Sequence, residues 1–293
     1  MAEAFIKPLP NHWKPDDFNL ATISIDSSLL HITKTICLLE SRCDNYAGYL
    51  QAIFRNRSEN WKLAIHQWNI EECQHGVVLR RICELSDRGF IFNHSMAQYE
   101  SLVSYHAPTG ESVRGSVAAE MVSRCVVEAL ATTLYRVLAD ATADHKVRAV
   151  YSALAQDEAR HYGMFLKMLN AEIRENSSID FRARFSFALR RILELEDAQI
   201  MIASCVVAER GQGVIKGRRE ANWYLAKLYR LYRWEHLHYA VRMLLRVVGI
   251  RATDPIVWSA TVLAWLAVKL RLVLAIVANF VVTPIQWPEY RRV

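Results

Sequence analysis

The sequence predicts an all-α protein with a four-helix bundle at its centre, on three observations. Ten glycines and seven prolines are few for 293 residues, so long stretches can stay helical without a breaker. Apolar residues recur at three- and four-residue steps, as at Leu29, Ile32, Ile36, Leu39 and Cys43. A Glu and a His three residues apart occur twice behind another acidic residue, in Glu71-Glu72-Cys73-Gln74-His75 and in Asp157-Glu158-Ala159-Arg160-His161. Residues i and i+3 share a helix face, so each pair aims a carboxylate and an imidazole at one point. A Glu-x-x-His from each of two helices, with one Glu from each of two others, is the ligand set of a di-iron or di-manganese carboxylate bundle.

The elements follow in order along a single domain, 1–293. Residues 1–25 form an irregular arm, because Pro8, Pro10 and Pro15 break any helix. The core bundle is expected over 28–175. Its first helix runs from Ser28 to Arg55, with Asp26 or Ser27 as cap and Glu40 beside the apolar face. Alone, Glu40 would read as a solvated surface glutamate. Asn56–Asn60 is a polar break in which Ser58 can cap a second helix, Trp61–Leu85, carrying Trp68, Glu72 and His75 on one face. A turn and short helix over Asp87–Glu100 and a loop over His106–Gly115 lead to the third helix, Ser116–Ala139. There Glu128 lies in the run Cys125-Val126-Val127-Glu128-Ala129-Leu130, where a carboxylate must be paired, protonated or metal-bound. Glu120 has more polar neighbours and is the weaker candidate. The fourth helix, His145–Glu175, carries Glu158 and His161. Asp157 suits an acceptor for a ligand imidazole N–H, on its own helix or on the opposite one, and reads equally as a solvated carboxylate.

Additional helices are expected over 181–293. Phe181–Glu209 and Arg219–Val248 are separated by a turn with Gly211, Gly213 and Gly217. The second of them holds a third Glu-x-x-His, Glu235 and His238. It sits among Arg230, Arg233 and Arg242 with no matching single glutamate, so it reads as polar surface or interface structure. The stretch Ile256–Val282 is apolar except for Lys269 and Arg271. It has the length of a membrane span, but two charges at its centre are costly there. A buried or dimer-forming helix, or two shorter ones, is the preferred expectation, with membrane contact the weaker one.

Composition narrows the function. A content of 52% hydrophobic and 23% charged residues excludes a disordered chain. The six cysteines form no C-x-x-C pair and read as buried free thiols in a reducing compartment. The N-terminal stretch has no signal-peptide pattern, so a cytoplasmic protein is expected. Residues 1–170 carry 17 basic against 19 acidic residues, and residues 171–293 carry 19 against 11. The basic half favours acidic partners, yet no nucleic-acid recognition motif is present. No flavin or nicotinamide motif is present either, so electrons for redox chemistry would come from outside. Four carboxylates and two imidazoles suit two iron ions, which can reduce O₂ and oxidise a C–H bond in an apolar bundle.

The chain resembles the soluble acyl-acyl-carrier-protein desaturases. The second helix, Trp61 and Trp68 followed by Glu71-Glu72-Cys73-Gln74-His75-Gly76, is similar to that family's W…W..EE..HG helix. Asp157-Glu158-Ala159-Arg160-His161 resembles its DE.RH helix. Glu40 with Tyr46 resembles its first-ligand helix, and Trp13-Lys14-Pro15-Asp16-Asp17-Phe18 its W.P.DF arm. The resemblance spans residues 10–170. It implies a ferritin-like homodimer in which Glu40, Glu72, His75, Glu128, Glu158 and His161 hold two iron ions, with Asp157 and Trp68 beside them. It implies an acyl chain on an acidic carrier protein, a ferredoxin-type electron donor, and removal of two hydrogens to leave a cis double bond. One departure bears on the outcome. The family's Thr three residues after the third-helix glutamate is here Ala131, followed by Thr132, so oxygen insertion into a carrier-bound acyl or aminoacyl group is the alternative.

Overall fold

The computed structural model describes residues 4–6, 12–103, 109–176, 179–194, 198–208 and 218–281. Among these residues there is no strand, as the all-α expectation requires. A 3-10 turn at Pro15–Asp17 precedes α1 (Ser27–Glu40), α2 (Cys43–Ile53), α3 (Glu59–Ser86), α4 (Phe92–Leu102), α5 (Val117–Ala141) and α6 (His145–Glu175). Beyond them lie α7 (Phe181–Leu193), α8 (Ala198–Ala208), α9 (Arg218–Leu231), α10 (Trp234–Val247) and α11 (Asp254–Val281). Side chains start several of these helices by accepting from otherwise orphaned N–H groups. Asp26 takes the N–H of Ser28, Ser116 that of Ala119, and Asp144 those of Lys146 and Val147. Ser58 occupies the cap position of α3 but makes no cap hydrogen bond.

The bundle is built from α1, α3, α5 and α6. The three-residue link Thr142–Asp144 folds α6 back along α5, while α1 packs on α3 and α3 on α6. Its apolar interior is in two parts. One includes Ile32, Ile36, Leu79, Ile82, Tyr135, Leu138, Val150 and Leu154. The other includes Phe54, Trp61, Ile65, Met121, Val126, Phe165 and Met168. On α3 and α6 the chain passes from one part to the other at residues 71–76 and 157–161, and on α5 it does so just beyond Glu128, between Leu130 and Leu134. The Glu/His pairs therefore form a polar layer between two dry cores.

Four expectations are corrected here. The helix expected from Ser28 to Arg55 breaks directly after Glu40, and α2 starts at Cys43. No proline or glycine causes this. Arg42 is buried against the rings of Tyr46 and Tyr99, and tertiary packing overrides local helix propensity. The six thiols are not all free, because Cys43 and Cys73 form a disulfide that ties the start of α2 to α3 across a Cα–Cα distance of 5.7 Å. Cys37, Cys83, Cys125 and Cys205 are free and buried, as expected. Of the two long helices expected beyond residue 181, the second is divided into α9 and α10, while the described parts of the first are α7 and α8, with residues 195–197 outside the described residues. Finally, the described part of the stretch 256–282 is neither buried nor two short helices. It belongs to one helix, α11, in which only Val257, Thr261 and Ala275 of the residues up to Ala278 are buried. By length and composition alone, Asp254–Ala278 could cross a membrane. The turn with Gly211, Gly213 and Gly217 lies outside the described residues, as does the first part of the loop expected at His106–Gly115.

Candidate metal centre

Six side chains from four helices meet in the polar layer. Glu40, the last residue of α1, joins Glu72 and His75 from α3 and Glu158 from α6 in one group. Glu72, Glu158, Glu128 of α5 and His161 of α6 form a second. Within each group the potential ligand atoms lie within 4.8 Å of one another. Glu72 and Glu158 belong to both, so two three-carboxylate, one-imidazole sets share two bridging candidates. All six residues the sequence singled out are brought together. Glu40 alone keeps partial exposure.

Gly76 explains how Glu40 reaches this layer. A Cβ at Gly76 would lie 3.3 Å from the Ser41 Cα and 3.2 Å from its Oγ. The missing side chain lets the end of α1 close on α3 one residue beyond His75.

The histidines are oriented by carboxylates from the opposite helix. His161 Nε2–H donates to Glu71 at 2.7 Å, and His75 Nε2–H donates to Asp157 at 3.3 Å. In the neutral imidazole that a metal binds, donation from Nε2 leaves each Nδ1 with a lone pair directed into the cluster. His75 Nδ1 is 3.2 Å from Glu158, and His161 Nδ1 is 2.9 Å from Glu72 Oε1. Neither Nδ1, nor Glu72 Oε1, has a hydrogen-bond partner among the described residues, although all three are buried. They are close but not aligned as hydrogen bonds. Unpaired acceptors converging on one volume fit a cation between them.

Asp157 therefore faces the opposite helix, one of the two orientations the sequence allowed. Glu71 is its counterpart and was missed as a positioning residue, although its place directly before Glu72 matches that of Asp157 before Glu158. Arg160 ties the two carboxylates together, reaching Glu71 at 2.6 Å and Asp157 at 2.8 Å. Gln67 adds a bond to Glu71, and His12 and Trp13 bond Asp157 at 2.8 and 2.9 Å. Trp13 also stacks on His75, so the N-terminal arm covers this side of the layer. Tyr135, likewise missed, donates to Glu40 at 2.6 Å. Trp68 does not join this shell. It packs edge-on against Phe165, and its indole N–H has no partner among the described residues. Thr132 is buried but donates to the carbonyl of Glu128, while Ala131 is partly exposed.

Glu120 is tied up elsewhere, by Tyr49, Ser112 and Arg124. Glu235 is exposed, and His238 lies 3.4 Å from both Arg242 and Thr261, in keeping with polar surface structure.

Burial shifts the titration of the cluster. Desolvation, then the charges of Glu158 and Glu72, raise Glu128 well above the ordinary carboxylate range. Desolvation, then Glu72 and Glu158, do the same to Glu40. Burial alone would lower His75, but Glu72, Asp157 and Glu158 overcome it and raise it to about 10. Burial opposes ionisation of Glu71 too, yet the His161 and Arg160 bonds hold it down at about 2. The metal-free layer thus keeps protons where a divalent cation would sit.

No model of a known protein family matches the chain, and comparison with characterised proteins finds no match. What stands on geometry is an all-helical bundle whose buried Glu/His clusters could hold a metal ion.

Proposed function

We propose that the protein is an O₂-dependent di-iron oxidoreductase that desaturates an acyl chain presented on a carrier protein. One observation carries the metal half of this reading: two buried three-carboxylate, one-histidine sets that share Glu72 and Glu158. Glu40 and His75 would complete one iron site, and Glu128 and His161 the other. Bound there, the two irons would supply reduction of O₂ and oxidation of an unactivated C–H bond. The chain's own residues hold and insulate the site. Glu71 and Asp157 fix the imidazole orientation, Arg160 neutralises these two carboxylates, and the two apolar cores exclude water above and below.

The acyl substrate, the acidic carrier protein, the ferredoxin-type donor and the homodimer rest on the motif resemblance and on the basic C-terminal half. Ala131 favours a second reading. Where the resembling family has a hydroxyl three residues after its third-helix glutamate, this chain has a methyl group, and the Thr132 hydroxyl is bound to a backbone carbonyl. Oxygen insertion would be the outcome in that case.

Mass measurement of carrier-bound acyl groups after aerobic reaction with iron-loaded, reduced protein separates the readings. Desaturation removes two hydrogens, a loss of about 2 Da. A gain of one oxygen supports the oxygenase. No change across chain lengths, with iron bound, contradicts both.

A further inference from the structure

The C-terminal helices present an apolar surface that the metal chemistry does not use. One flank of α11 packs on α9 and α10. The other faces outward, with Leu263 at 69%, Leu266 at 58%, Leu270 at 58%, Val273 at 54% and Val277 at 49% exposure. These positions step by three and four residues, so they form one continuous stripe. Leu274, 53% exposed, widens it beyond the seam of a two-helix coil. An uninterrupted run of exposed aliphatic side chains over about four helical turns is a surface that something covers.

The surrounding chemistry chooses the occupant. From Arg218 to Val281 the chain carries ten Lys and Arg against three Asp and Glu, and none of the acidic residues lies between Pro255 and Val281. Trp258 is 59% exposed at one end of α11, and its ring lies 6.2 Å from that of Trp234. Lys269 and Arg271 flank the stripe, partly exposed, with the Lys269 ammonium 4.1 Å from the Trp265 ring. Long basic side chains beside an aliphatic stripe can reach a headgroup layer while their stems stay in apolar surroundings. Tryptophan prefers the same depth. A second copy of this face would bring like charges together, because the one acidic residue of α11, Asp254, lies in its first turn and is already paired with Arg242. Crossing the bilayer is disfavoured by the flank already occupied by α9, which carries Lys227 and Arg230.

We infer that α11 seats the protein on the surface of a bilayer containing anionic lipids, lying in the interface plane with Leu263, Leu266, Leu270, Val273 and Val277 inserted. The inference is independent of the reaction at the metal centre.

The test is flotation of the full-length, metal-loaded protein with phosphatidylcholine vesicles, with and without about 30% phosphatidylserine. The wild type is expected to float with the anionic vesicles and to be released by high salt. The variant Leu263→Glu/Leu270→Glu, changed only at exposed positions, should keep its helicity and metal content and bind at least about 10-fold more weakly. Flotation unchanged in that variant would overturn the inference, as would equal binding to neutral vesicles. A wild-type dimer that the same substitutions split, without vesicle binding, would assign the stripe to a second copy instead. Saturable binding of an acidic carrier protein that the same substitutions abolish, with no binding of the wild type to vesicles, would equally count against it.

Discussion

His75 and His161 are held by exchange: each gives its Nε2–H to the acidic residue that precedes the glutamate of the other helix. This arrangement makes Glu71 the most informative residue outside the six ligand candidates. Glu71→Gln keeps the volume and the Gln67 contact, but removes the charge that His161 and Arg160 share. A substitution of this kind beside a metal-bound imidazole weakens metal affinity by about 10- to 100-fold. Competition with a chelator measures it. Unchanged affinity in Glu71→Gln would mean that the His161 orientation does not depend on this bond. The sequence left Asp157 with two equal readings, an acceptor for a ligand imidazole or a solvated carboxylate, and only the packing of α3 on α6 decides between them. It left Glu71 in shadow because a Glu-Glu pair does not reveal which member points inward. The His12, Trp13 and Tyr135 contacts bridge more than 90 residues of chain. No local pattern encodes such pairings.

Among elements, the crossing of α1 and α3 decides whether Glu40 takes part. Gly76 permits that crossing, because the Ser41 backbone occupies the space a Cβ would need. Gly76→Val should push the end of α1 outward and lower the metal content, with Glu72, His75, Glu128, Glu158 and His161 unaltered. Metal analysis alongside circular dichroism separates this from unfolding, and a fully loaded variant would show that α1 can be displaced without loss. Periodicity located α3, α5 and α6 to within about two residues, because their apolar faces recur on both sides of the polar layer. It failed at the α1–α2 break and in the division of α9 from α10. The break after Glu40 depends on the burial of Arg42 and the bridge from Cys43 to Cys73, both tertiary. The surface position of α11 was hidden for a related reason, since composition reports that a helix is apolar but not what covers it.

For the whole molecule, the charged layer between two apolar cores couples metal, protons and stability. Without metal, His75 titrates at about 10 instead of 6.5. Its charged form contributes fully below pH 6.5, and that contribution is lost as pH rises through about 10. Glu40 and Glu128, whose carboxyls are raised above 4.5, stay protonated in the fold and oppose stability as pH climbs. Both effects have the same sign, so the Tm of metal-free protein should fall between pH 6.5 and 10. Metal must displace these protons, so its stabilisation should grow over the same range. At a concentration about 1,000-fold above Kd it amounts to about 4 kcal/mol. Calorimetric titration in buffers of different ionisation enthalpy reads the proton release. A metal-free Tm that rises with pH would contradict the account.

The central claim is that Glu40, Glu72, His75, Glu128, Glu158 and His161 form one two-metal centre. Anaerobic titration with Fe(II), followed by bound iron per chain in the wild type and in Glu128→Ala, tests it most directly. The account predicts saturation at about two irons in the wild type and at one or none in the variant. Saturation at one iron or fewer in the wild type, or full loading of Glu128→Ala, would contradict it.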